Sequence, residues 1–257
     1  MALVSQPTPL AAFRWPRLPD ELKMAAAEVH VVCASVDVSG QRLLDLTARL
    51  SPDELDRAER FHFARDRDRF VARRGLLREI LALQARVPPD SLVFFTGPFG
   101  KPALAPRSGR RTLHFSLAHS NDIAVFAMSR EAALGIDVER VRELSDLSRV
   151  AALVFSSRES LQWRRLPESQ RLQAFFDVWT RKEAFLKGTG QGLQKPPREI
   201  EVPLCGGQPD QELPVFDAGR QVPDWSLRSL STGVVALALA LKRPPSRVCC
   251  WEWPSEP

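Results

Sequence analysis

An α+β fold is predicted by three features of this 257-residue chain. Two stretches, 66–85 and 168–187, carry apolar residues at helical period. Short apolar runs bounded by turn residues read as strands near 29–38, 91–95, 123–128, 134–139, 198–202, 213–216, 225–230 and 233–241. The order of elements after residue 131 also repeats the outline of the order before it. The expected organisation is two similar α+β halves, 23–130 and 131–246, preceded by an extended arm (1–22) and followed by a tail (247–257).

Each element has its own local reason. The arm holds Pro7, Pro9, Pro16 and Pro19 and is anchored, on this reading, through Phe13 and Trp15. Val29 to Val38 alternates as a strand does. Ser51 to Ala58 opens a helix, with Ser51 as N-cap and Pro52 in the first turn. In the helix from Asp66 to Ala85, Phe70, Leu76, Leu77, Ile80, Leu81 and Leu83 are the residues expected to face inward. Ser91 to Phe95 reads as a strand. The run Gly97-Pro98-Phe99-Gly100-Lys101-Pro102 is a turn that sets Lys101 ahead of an extended segment. Ile123 to Met128 is a strand, Ser129 to Ala133 a connection, and Leu134 to Val138 the returning strand. A helix starts near Leu147, the long helix follows, and Val234 to Leu241 is a continuous apolar run of buried-strand character. Arg247 to Pro257, with Trp251, Trp253 and Pro254, receives no assignment.

Chemistry shows where polar residues break these patterns. Leu172, Phe175, Phe176 and Trp179 form an apolar stripe on the long helix. Steps of four from Phe175 lead to Trp179, Glu183 and Lys187, which places an acid and an amine in line with buried positions. The alternative is an ordinary surface ion pair near a helix end closed by Gly188. In Gly135-Ile136-Asp137-Val138-Glu139, Asp137 and Glu139 point to one face of a strand, about 7 Å apart. Two carboxylates so placed suit a hard cation such as Mg²⁺, or else the solvated face of an edge strand. His119, in Ala118-His119-Ser120, is either a phosphate donor or a structural histidine.

Taken together and in order, these pieces resemble the Sfp-type 4′-phosphopantetheinyl transferases across roughly residues 45 to 200. The marks are Gly100-Lys101-Pro102, Ala118-His119-Ser120, Gly135 to Glu139, Trp179 to Lys187, and Gly190-Gln191-Gly192-Leu193. The resemblance implies a pseudo-twofold pair of α+β halves with coenzyme A between them. It implies transfer of the 4′-phosphopantetheine of coenzyme A to an acceptor serine of an apo acyl or peptidyl carrier protein, with release of adenosine 3′,5′-bisphosphate. Asp137, Glu139 and Glu183 are then the Mg²⁺ ligands. Glu183 is also the candidate base, and Lys187 holds the reacting phosphates. Lys101, His119 and Arg69 bind the nucleotide's phosphates, with Arg57 near the adenine end. Two departures stand out. Ala118 occupies the first serine position of the family's Ser-His-Ser motif, and Glu54 stands where some relatives carry a basic residue.

The enzyme that the resemblance implies is expected to be a cytoplasmic monomer, and length and composition agree with that expectation. Hydrophobic residues make up 44% and charged residues 26%, ordinary for a globular protein. No apolar run is long enough to span a bilayer, and the N-terminus does not read as a signal peptide. Cys33, Cys205, Cys249 and Cys250 lack metal-ligand spacing and read as reduced thiols. A net charge of +5 calls for an acidic partner, with eight arginines from Arg57 to Arg78. Nucleic acid is the generic candidate, but interleaved acids blunt a phosphate-tracking surface, and the acidic carrier protein that the resemblance implies suits a basic enzyme equally well. Another Mg²⁺-dependent phosphoryl-transfer or hydrolase enzyme, or a basic nucleic-acid-binding protein, are the alternatives.

Overall fold

The computed structural model describes residues 13–97, 100–105, 113–204 and 211–254, without the side chain of Leu193. Arm residues 1–12, Pro98 and Phe99 of the expected turn, and Cys205 lie outside that set. In chain order the elements are β1 (Glu28–Ser35), α1 (Gly40–Thr47), α2 (Pro52–Glu59), α3 (Ala64–Ala85), β2 (Phe94–Thr96), β3 (Pro102–Leu104), β4 (His114–Ser120), β5 (Ile123–Ser129) and β6 (Leu134–Arg140). They continue with α4 (Leu147–Val154), α5 (Ser157–Arg165), α6 (Glu168–Thr189), β7 (Ile200–Glu201), β8 (Leu213–Asp217), β9 (Arg220–Ser229), β10 (Val235–Lys242) and β11 (Arg247–Glu252). The fold is α+β, as expected.

Two sheets carry the architecture. One has the order β11-β1-β5-β4, the other β6-β10-β9-β8-β7. Strand alternation sorts their side chains into three cores. Val32, Ala34, Phe115, Ala124, Phe126 and Met128 face α3. Val29, Val31, Cys33, Val125 and Ala127 meet Leu134, Ile136, Val138, Leu237 and Leu239 between the two sheets. Ala236, Ala238 and Ala240 of β10 face α6 with Phe175, Phe176 and Phe185. Small side chains on that face let the helix lie close to the sheet. The closest approach is at Gly135, where a Cβ would stand 2.0 Å from the Ala184 carbonyl oxygen and 2.3 Å from the Gly188 nitrogen.

Several elements differ from the sequence reading. Leu134–Arg140 does not return alongside β5; it pairs antiparallel with β10 and starts the second sheet. Its edge meets β4 instead, where Ser116 Oγ accepts from Ile136 N at 3.2 Å and Ser120 Oγ accepts from Arg140 N at 3.1 Å. Both contacts span the same sequence offset, so β4 and β6 run in the same direction. Gly188 does not end α6. It is buried inside the helix against Trp225, and Gly190 takes the left-handed cap with φ 77°. Leu83 is 38% exposed rather than inward, because the turn after α3 and Trp253 leave an open cavity beside it. Residues 89–91 form a 3₁₀ turn, and the strand begins only at Phe94.

Helices α1 and α5 and strands β4 and β11 are not among the elements expected from the sequence. The first helix, α1, packs on α3. The second, α5, opens with a capping box in which Ser156 and Glu159 each accept the other's backbone N–H. The tail is β11, in parallel register with β1 from Glu28↔Arg247 to Cys33↔Glu252, and the arm follows it, with Leu18 N donating to Glu252 O at 2.8 Å. Among the described residues no helix is long and apolar enough to cross a membrane.

Candidate active site

The carboxylates and amine singled out in the sequence converge where α6 crosses β6. On β6, Gly135, Asp137 and Glu139 share the face toward α6. The glycine admits the helix, and Asp137, one pleat on, meets Lys187: Nζ to Oδ1 is 2.6 Å. Trp179, Glu183 and Lys187, in line at steps of four, are all part-exposed, while Thr180, Arg181 and Lys182 are buried on other sides of the helix. Those buried groups have partners of their own. Lys182 Nζ donates to the Val154 carbonyl at 2.8 Å and pairs with Glu159 at 2.5 Å; Arg181 donates to the Pro203 carbonyl at 2.6 Å. The helix is therefore held from behind, and the line through Glu183 and Lys187 is left facing the cleft.

The carboxylates are under electrostatic pressure. Asp137 is 5% exposed, and burial pushes its carboxyl up to about 7, with Glu139 and Glu183 adding to the rise and Lys187 opposing it. Burial also raises Glu183, and Glu139 raises it further against the pull of Lys187. Two buried oxygens, Asp137 Oδ2 and Glu183 Oε1, have no hydrogen-bond partner. An orphaned carboxylate oxygen is costly unless it receives a donor or a cation. Asp137, Glu139 and Glu183 thus fit a hard cation by their donor atoms and by these two orphans. As a set they are not drawn together as tightly as a closed cage, since the described triad with ligand atoms all within 4.8 Å is Glu28, His30 and Cys249. There Trp251 Nε1 donates to His30 Nδ1 at 3.0 Å, which puts the imidazole proton on Nε2 and turns a donor, not a lone pair, toward the group.

Cations from α2, α3 and the β2–β3 turn line the other side. Lys101 Nζ donates to the carbonyls of Leu134 at 2.9 Å and Gly188 at 3.0 Å, which ties the turn to both β6 and α6. Burial lowers its ammonium to about 8, and its third N–H remains to be given. His119 leaves β4 on the α3 side of the sheet. Desolvation in the cleft, then the charges of Arg73, Lys187 and Arg69, hold its ring down to about 4. Arg69 grips Asp37 through two contacts, 2.6 and 3.0 Å, with further N–H groups spare. Arg57 lies over Phe70, 5.3 Å from the ring centroid, and lines a cavity of about 520 Å³ with Asp53, Asp56, Arg60 and Phe61.

Arg73 was not singled out in the sequence, where it is one arginine among eight. Burial and the charges of Arg57, Arg74 and Arg69 lower it to about 10, and among the described residues no carboxylate lies in ion-pair range. The available signal was its place one turn after Arg69 on the same face of α3. The two departures from the family pattern also resolve structurally. Glu54 is buried away from the cleft, capping α2 through Ser51 N and pairing with Arg74 and Arg78. Ala118 is 3% exposed and faces the core between the sheets, so the missing hydroxyl does not open onto the phosphate side.

Comparison with known proteins shows the family of the chain. The family model of the 4′-phosphopantetheinyl transferase superfamily matches residues 133–240, and that of the 4′-phosphopantetheinyl transferase N-terminal region matches residues 37–131. The chain is 40% identical over 212 residues to 4′-phosphopantetheinyl transferase HetI of Nostoc sp., covering 82% of this chain and 89% of that protein. It is 33% identical over 171 residues to psf-1 of Bacillus pumilus, covering 66% of this chain and 71% of the relative. With Sfp of Bacillus subtilis it shares 27% over 166 residues, 64% of this chain and 71% of the relative. Two adjoining family matches, a relative aligned over most of both lengths, and a cleft with the acids and amine in register lead to one conclusion: the chain belongs to the 4′-phosphopantetheinyl transferase superfamily.

Proposed function

We propose that the seam of β4, β6 and the last turns of α6 is where this chain transfers the 4′-phosphopantetheine moiety of coenzyme A to the acceptor serine of an apo acyl or peptidyl carrier protein. The observation that carries the assignment is the pair of orphaned buried oxygens, Asp137 Oδ2 and Glu183 Oε1, beside the Lys187 ammonium. That arrangement asks for a cation and for an anion at once, and Mg²⁺ with a pyrophosphate supplies both. Asp137, Glu139 and Glu183 would hold the ion, which when bound neutralises charge on the phosphate oxygens.

The residues divide the remaining work. Glu183, its carboxyl raised by burial, takes the proton of the acceptor serine. The serine oxygen then bonds to the β-phosphorus as the bridging P–O bond to the α-phosphate breaks, and adenosine 3′,5′-bisphosphate departs with the electron pair. Lys187 steadies the charge that develops there. His119, neutral near pH 7, offers one N–H, and Lys101 offers its third. Arg69, Arg73 and Arg57 receive the nucleotide end. The same reading has the enzyme act as a monomer in the cytoplasm and meet its acidic carrier through exposed arginines.

The test is direct. Protein, coenzyme A and Mg²⁺ are incubated with a panel of apo carriers, and intact masses are read, with Glu183→Gln in parallel. One carrier gaining a single phosphopantetheine unit with the parent protein and not with the variant is the expected result. Equal gain with both would remove Glu183 from the reaction.

A further inference from the structure

We infer that Ser120 is a positioning residue for the cation site: its hydroxyl fixes the Glu139 carboxylate so that the other oxygen faces the ion. The inference rests on the metal reading of Asp137, Glu139 and Glu183 given above. Ser120 is 9% exposed at the end of β4. Its Oγ accepts from Arg140 N at 3.1 Å and donates to Glu139 Oε2 at 2.8 Å. A hydroxyl has one proton to give, and the carboxylate has none, so the direction of both bonds is settled. The proton is therefore committed to Glu139 rather than free for a phosphate, although Ser120 stands next to His119 at the cleft.

The register of the two strands makes this contact hard to replace. On the face of β4 that meets β6, Ser116, Ala118 and Ser120 follow one another. The first and last accept from Ile136 N and Arg140 N, doing for the β6 edge what a carbonyl ladder would do. Ala118 offers Val138 no hydroxyl. Ser120 is thus the one rung of the three that also touches a carboxylate, and it joins a strand of one sheet to a metal ligand of the other. Glu139 has free rotation about three side-chain bonds; a second anchor at Oε2 removes much of it before a cation arrives.

Three variants and a cation-binding readout test this. Ser120→Ala, Ser120→Thr and Glu139→Ala are titrated with Mn²⁺, free ion being read by electron paramagnetic resonance, and are melted without metal. Transfer is then assayed against Mg²⁺ concentration. Loss of a partner behind a metal ligand weakens metal affinity by about 10- to 100-fold. Ser120→Ala should fall in that range for Mn²⁺ binding and for the Mg²⁺ concentration of half-maximal transfer, with the KM for coenzyme A at saturating Mg²⁺ little changed. Ser120→Thr, which keeps the hydroxyl, should restore most of the affinity. A Ser120→Ala protein that melts lower yet binds Mn²⁺ as the parent does would overturn the inference and leave Ser120 a strand-edge residue. If Glu139→Ala also leaves Mn²⁺ affinity untouched, it is the metal reading that fails.

Discussion

Replacing Asp137 by Asn separates what this carboxylate does for chemistry from what its charge does to the fold. Its folded pKa, about 7, stands above the ordinary 3.8 because it is buried, with Glu139 and Glu183 behind it. A group raised in this way binds more protons folded than unfolded, so stability declines as pH climbs from 3.8 through about 7. At about 1.4 kcal/mol per unit, the shift of about three units sets a ceiling of about 4 kcal/mol, of which about 2.5 develops between pH 5 and 8. An unfolding entropy of about 2 cal/mol/K per residue makes 1 kcal/mol worth about 2 °C in a chain of this size. Without metal, Asp137→Asn should therefore gain about 5 °C in Tm on its parent in going from pH 5 to pH 8. Transfer should be lost throughout. The attraction of Lys187 for the ionised carboxylate is already contained in the folded pKa, and the change in the neutral contact adds an offset common to all pH values, so the slope is diagnostic and the offset is not. Added Mg²⁺ should raise the parent's Tm at pH 8 and leave the variant where it was. A Tm difference that stays flat from pH 5 to 8, or substantial transfer by the variant, would refute the reasoning.

The other expectations follow from the same geometry. Glu183→Gln should lower kcat at least about 10²-fold; Lys187→Ala should raise KM for coenzyme A and lower kcat together, since a phosphate clamp acts in both ground and transition states. Unchanged kinetics in both would return the pair to a surface role. With the Lys101 ammonium at about 8, coenzyme A affinity measured by calorimetry should weaken from pH 7 to pH 9, and Lys101→Met should flatten that dependence; the same slope in both proteins would place the titration elsewhere. Gly135→Ala drives a Cβ to 2.0 Å from the Ala184 carbonyl. It should cost about 1–3 kcal/mol of stability by overpacking, and the loss of transfer should exceed the loss of folded protein in a melt-corrected assay. Raising salt from about 0.1 to 1 M should raise KM for the carrier several-fold more than KM for coenzyme A. Parallel rises would mean that carrier docking is not electrostatic.

What the sequence shows and what it hides divide along the range of the interactions. Glu183 and Lys187 are visible because they are polar in line with an apolar helical stripe, and Asp137 and Glu139 because two acids share one face of a strand. The Ser51 cap and the α3 and α6 stripes are likewise local. The S-x-x-E box at Ser156 was equally local and could have announced α5. By contrast, β11 is hidden because its partner β1 lies some two hundred residues away, and a segment with adjacent cysteines running into Trp and Pro has no period of its own. The pairing of β6 with β10 rather than β5 is non-local in the same way. Arg73 and Glu54 show the limit for charges: nothing in an arginine-rich helix tells which guanidinium lacks a carboxylate, or which acid is buried beneath two of them.

The site's precision comes as much from missing side chains as from charged ones. Gly135 on β6, Ala184 and Gly188 on α6, and the alanines of β10 bring helix and sheet close enough for Lys187 to reach Asp137 at 2.6 Å. The same approach removes water from Asp137, and that desolvation is the first cause of its raised pKa. One packing feature thus sets both the distance between the groups and the electrostatic demand for a cation. Lys101, whose ammonium reaches Leu134 at the start of β6 and Gly188 near the end of α6, closes the crossing from the other side. Lys101, proposed above to meet phosphates, is therefore also bound to the two elements that carry the carboxylates. Two of its N–H groups go to the Leu134 and Gly188 carbonyls and the third is uncommitted, so a phosphate that accepted from the third would be joined through one side chain to both elements.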